Sequence, residues 1–108
     1  MAMADDNDGF VESQQFGLAE QEKIQIPPEY KVILYNDDYT TKDFVVDVLK
    51  KVFHKTTADA IIIMESVHKT GSGVAGVYTY DIAVTRASIT VQMARQQGFP
   101  LRCEAEPC

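Results

Sequence analysis

The side chains best equipped for chemistry stand in one short run, Asn36-Asp37-Asp38-Tyr39-Thr40, with a distant partner in His68. Part of the run has an ordinary explanation. Asn and Asp side chains bond nearby backbone N–H groups and tolerate turn geometry. Thr40 and Asp43 also fit a capping box, with Thr40 as N-cap of a following helix. A capped turn accounts for one or two of these residues and leaves a surplus of amide and carboxylate acceptors, which suits a cationic ligand. A lone helical His beside apolar residues is usually structural. If its helix reaches the end of the strand that carries Asn36 and Asp37, then amide, carboxylate and imidazole acceptors meet beside Met64 and Val67. Such a set matches an α-ammonium, which has several donors and one positive charge. An apolar hole alongside would take the first side chain, and capture of a chain N-terminus is an established mode of recognition.

Catalysis needs more than this. A nucleophile requires a positioned base, or two carboxylates must face each other across a gap. Asp37 and Asp38 are adjacent and diverge, His54 lies among Lys50, Lys51 and Lys55, and His68 has no evident Ser or Cys partner. There is no phosphate loop and no HExxH pair. A calcium loop from Asn36 would need Gly and Glu at its sixth and twelfth positions and has neither. We expect no catalytic residue, no metal site and no cofactor.

The elements that must position these residues follow from periodicity. Residues 30–35 (Tyr30-Lys31-Val32-Ile33-Leu34-Tyr35) read as a strand that is apolar on both faces, hence covered. Residues 41–53 read as a helix with the stripe Val45, Val48, Leu49 and Val52. A capping box, Thr56 with Asp59, opens a second helix that runs to Thr70 and ends at Gly71. Its stripe is Ala60, Ile63, Met64 and Val67, with His68 on the side of Met64. Gly71-Ser72-Gly73 reads as a turn. Residues 74–80 read as a strand in which Gly76 marks a bulge or close approach. Asp81 is placed to N-cap a helix over 82–97, with the stripe Val84, Ala87, Val91 and Ala94. Gly98 and Pro100 end it, and residues 101–106 alternate as a half-buried strand. The order β-α-α-β-α-β predicts an α+β fold, three helices packed on a three-stranded antiparallel sheet.

At 108 residues the chain suits one domain, and its 45% apolar content excludes global disorder. The net charge of −6 is uneven. Residues 1–26 hold six acids against Lys23, whereas residues 27–108 hold ten acids against nine Lys or Arg. We therefore expect an acidic, disordered extension over 1–26 and a folded domain over 27–108. Without a basic excess there is no nucleic-acid footprint. No apolar run is long enough to span a bilayer and no signal peptide is recognisable. Cys103 alternates with charged neighbours and reads as a small core residue. With Cys108 terminal there is no disulfide framework, which suits a reducing cytoplasm.

The run Tyr30 to Thr40, followed by Phe44 to Leu49, resembles the ClpS adaptor family. So do Met64 to His68, Gly76 to Thr79, and the closing Pro100, Leu101 and Cys103, at matching spacing throughout. The resemblance implies the fold just described. It also implies a bacterial adaptor of the N-end rule, which binds substrates with N-terminal Leu, Phe, Tyr or Trp. These it hands to a ClpA-type AAA+ unfoldase coupled to ClpP peptidase, and it acts as a monomer. By the same resemblance Asn36, Asp37 and His68 would contact the α-amino group. Thr40, Lys42, Val45, Met64, Val67 and Leu101 would line the side-chain pocket, with Asp38 orienting the turn at its edge. Asp81 and Arg86 would face the unfoldase. One departure concerns the lip, since Thr41-Lys42 stands where the family often has Pro-Met. The alternatives are a generic interaction module resembling the C-terminal domain of the ribosomal stalk protein, and a small hydrolase built on an Asp–His pair, which the absence of a nucleophile disfavours.

Overall fold

The computed structural model describes residues 26–108. The extension expected over 1–26 lies outside them apart from Ile26. The order is β1 (Glu29–Tyr35), α1 (Lys42–Lys51), α2 (Thr57–Thr70), β2 (Ser72–Thr79), α3 (Tyr80–Gln96) and β3 (Arg102–Pro107). The sheet order is β2-β1-β3 and both pairings are antiparallel, so the expected α+β architecture is observed.

The central place of β1 explains its apolar run. Val32 and Leu34 join the core formed with the helices, while Ile33 points to the other face and is nearly covered. On that face Tyr35 donates a hydrogen bond of 2.6 Å to Glu106, and the Arg102 guanidinium lies 4.2 Å from the Tyr35 ring centre. The register with β2 shifts between Val32, opposite Gly76, and Ile33, opposite Val74. Ala75 is thus the extra, fully buried residue of a bulge. At Gly76 a Cβ would stand 2.5 Å from the Tyr78 hydroxyl, so a larger residue there would have to displace the Tyr78 ring.

Four local expectations are corrected. Thr41, not Thr40, caps α1: its hydroxyl accepts from the Phe44 N–H at 3.1 Å. Ser72 and Gly73 belong to β2 rather than to a turn, because they pair with Tyr35 and Leu34 of β1. Asp81 does not cap α3. The N-cap is Thr79, without a side-chain bond, and Asp81 lies in the first turn, where a negative charge suits the helix dipole. The buried stripe of α3 is Ala83, Ala87, Thr90 and Ala94, and Val84 is exposed. Small side chains let this helix lie close to the sheet, and Thr90 tolerates full burial because its hydroxyl donates to the Arg86 carbonyl at 2.9 Å. The stripes of α1 and α2 are as expected, with Ile63 only half-buried.

Candidate functional site

β1 ends at Tyr35, and the next residue ties the sheet to a helix. The Asn36 N–H donates to the Gly71 carbonyl at 2.9 Å. Gly71 closes α2 in the left-handed region at φ 95°, its own N–H returning to the Val67 carbonyl. This bond brings the polar run beside the last turn of α2, which carries His68. Sequence alone left that proximity open.

Asp37 organises the turn. Its Oδ1 accepts the N–H groups of Tyr39 (2.8 Å) and Thr40 (2.7 Å), and its Oδ2 accepts the Thr40 hydroxyl at 2.7 Å. Burial by itself would raise the Asp37 carboxyl. The Thr40 hydroxyl and the two amides outweigh it and hold the group below the usual carboxylate value of 3.8. Asp37 is therefore anionic at neutral pH. A carboxylate oxygen has two lone-pair sites, so Oδ2, with one donor, retains an open one.

A depression of about 270 Å³ opens against this turn. Its polar side is Asn36, Asp37, Asp38, Thr40 and, from α2, His68. Its apolar side is Val45 from α1 with Met64 and Val67 from α2, all buried at the head of the core, and Lys42 lies at the rim as the first residue of α1. Nine of the ten residues assigned to this site from sequence therefore share one cavity. The tenth, Leu101, is buried in the core and is not among the lining residues.

Asp81 and Arg86 lie elsewhere. They line a second, wider groove of about 490 Å³ between the end of α1 and the start of α3, with Val52, Ile82 and Ile89 as its apolar surface. An Arg86 guanidinium N–H donates to the Val52 carbonyl, and the group sits 4.9 Å from the Tyr78 ring centre. Arg86 thus satisfies a carbonyl left open at the end of α1. Sequence reasoning missed the apolar part of this groove. Its signal was a second helical series, Ile82, Thr85, Arg86 and Ile89, beside the core stripe.

Among the described residues no group of three or more His, Cys, Asp or Glu is placed to hold a metal ion. No helix among them is long and apolar enough to cross a membrane.

A family model described as ATP-dependent Clp protease adaptor protein ClpS matches residues 25–104. The chain belongs to the ClpS family. The ClpS of Myxococcus xanthus is 53% identical over 89 residues, 82% of this chain and 83% of that one. The ClpS of Acetivibrio thermocellus is 58% identical over 81 residues, 75% and 82% of the two chains. The solved structure of Agrobacterium tumefaciens ClpS2 bound to L-phenylalaninamide is 41% identical, with a TM-score of 0.74, covering 77% of this chain and all of that one. ClpS proteins are adaptors and not enzymes. This chain accordingly serves the Clp protease by delivering N-end rule substrates to it.

Proposed function

We propose that the depression beside the Asn36–Thr40 turn holds the first residue of the substrate, its α-ammonium on the polar side and its side chain on the apolar side. The observation that carries this is the meeting of an anionic Asp37, Asn36 and His68 with Val45, Met64 and Val67 in one cavity. The open lone-pair site on Asp37 Oδ2, the Asn36 amide oxygen and a neutral imidazole nitrogen of His68 would each accept one of the ammonium's three N–H bonds. Bulky hydrophobic first residues, Leu, Phe, Tyr and Trp, gain most from the apolar wall, since burying such a side chain contributes about 1.5–3 kcal/mol. The binding of L-phenylalaninamide by the Agrobacterium protein supports this assignment, because that ligand presents a free α-amine and a benzyl group.

We assign the unfoldase to the groove that Asp81 and Arg86 line, with a ClpA-type AAA+ protein as the partner and this chain acting as a monomer in the cytoplasm. Val52, Ile82 and Ile89 offer that partner an apolar surface flanked by charges of both signs. A generic interaction module of the stalk-protein kind would have no need for Asn36, Asp37 and His68 together.

Comparison of free-amine and N-acetylated Phe-led peptides tests the proposal. Acetylation removes a charged donor from several acceptors, each such bond being worth about 1.5–3 kcal/mol, so affinity is expected to fall about tenfold or more. Equal affinity by calorimetry would eliminate the N-terminus site.

A further inference from the structure

Gly73 is the second residue of β2 and pairs with Leu34 of β1. Its φ lies outside the left-handed region, unlike Gly71 and Gly98, so backbone freedom does not explain the glycine. Space does. A Cβ at this position would stand 2.8 Å from Val67 Cγ2, 3.5 Å from the Ile63 carbonyl oxygen and 3.6 Å from the Val67 nitrogen. Real Cβ atoms do not come that close to a methyl group. Val67 is β-branched and helical, which confines it to essentially one χ1 rotamer. It is also only 3% exposed, so the methyl has little room to swing aside.

Val67 is at the same time part of the apolar wall of the depression. We propose that Gly73 is a specificity-determining positioning residue: its missing Cβ lets α2 settle onto β2, sets how far the Val67 methyls stand back from the mouth, and so sets the size of first side chain that is accepted. This rests on the depression being the N-terminus site. The same junction braces the polar half, because the Gly71 carbonyl accepts the Asn36 N–H while the Gly71 N–H bonds the Val67 carbonyl. Val67, Gly71 and Asn36 are thereby linked through backbone bonds, and Gly73 sits directly beneath Val67. A side chain at position 73 displaces the apolar wall relative to the acceptors, which penalises the largest first residues most.

The test uses the full chain and free-amine peptides led by Leu, Phe or Trp, followed by fluorescence anisotropy. A single methyl in an apolar pocket changes discrimination by about tenfold or more. Gly73→Ala is therefore expected to weaken Trp- and Phe-led peptides by about tenfold relative to Leu-led ones. In a Val67→Ala background, where the opposing methyls are gone, the same substitution is expected to leave the ratio unchanged. An unchanged ratio in the parent background, or an equal shift in both, overturns the inference while leaving the N-terminus site standing. Failure of the parent protein to bind any of the three peptides overturns both. Urea denaturation guards against loss of folding. Gly73→Ala should destabilise the parent and not the Val67→Ala protein, and equal destabilisation of both would refute the contact.

Discussion

At the residue scale, the site depends on a carboxylate that serves two purposes. Asp37 spends three hydrogen bonds on its own turn and keeps an acceptor site in reserve, and the same bonds keep it ionised. Lys42 raises a different question. It lines the rim at the first position of α1, where its aliphatic stem can lie on the apolar wall while its ammonium stays in water. If Lys42 forms the lip, its head is expected to swing outward and to leave a looser lip than an inward-packed thioether would. On the proposed assignment Leu and Phe are expected to keep their contacts with Val45, Met64 and Val67. Rejection of Ile and Val needs a wall against a branch at Cβ, close to the mouth, and we expect that wall to be weak here. Lys42→Met is expected to raise the Leu-to-Ile affinity ratio, measured by anisotropy with the two peptides. An unchanged ratio would mean that Lys42 does not shape the lip.

At the element scale, adjacent threonines divide the labour. Thr41 caps α1, whereas Thr40 turns back to Asp37. Thr41→Ala is expected to cost about 1 kcal/mol of stability in urea, as for other N-caps, and to leave peptide affinity nearly intact. Thr40→Ala removes the hydroxyl that holds Asp37 Oδ2, and affinity should fall about three- to tenfold. Similar affinities for the two variants would contradict this division. The capping box at Thr40 was legible as a pattern, but Thr41 satisfies the same role one residue later. Only the observed bond to the Phe44 N–H distinguishes them.

At the scale of the whole molecule, α1 links two surfaces. Lys42 and Val45 border the depression, and Lys51 and Val52 border the groove. Nine residues of helix at 1.5 Å each separate Lys42 from Lys51 by about 14 Å. The T-shaped contact of Tyr30 and Tyr80, 5.0 Å between ring centres, fixes the start of α3 at the opposite end of β1 from Asn36. The depression and the groove thus lie at opposite ends of α1. Deletion of residues 1–26 is expected to spare peptide affinity and to stop delivery to the protease, since most of the net charge lies there and the site residues do not. Degradation of a Phe-led substrate at the full-length rate would refute this. The core itself can be followed through its thiols. Burial pushes the Cys103 thiol up to about 12. Cys103 therefore stays protonated and unreactive in the folded chain, while Cys108 is exposed. Near pH 8, an aromatic disulfide reagent should label Cys108 at once and Cys103 only on unfolding. Because the folded thiol has the higher value, this burial supports stability below the unfolded value of 9.0, and the contribution is lost as pH rises from there towards 12. Rapid labelling of both thiols would show that β3 opens readily.

The order of elements, the stripes of α1 and α2 and the candidate acceptors were legible in the amino-acid sequence. Each of these rests on local spacing or side-chain type, and a period of 3.6 or 2 survives without knowledge of neighbours. Whatever depends on contact across the chain came from the folded arrangement. Asn36 reaches His68 through one hydrogen bond to Gly71, 35 residues away. The stripe of α3 settled on Ala83 and Thr90 rather than Val84, because close approach to the sheet favours small side chains over apolar bulk. Gly73 looked like a turn residue because glycine has no direction of its own. Its importance lies in an atom it lacks and in the Val67 methyl that occupies the space.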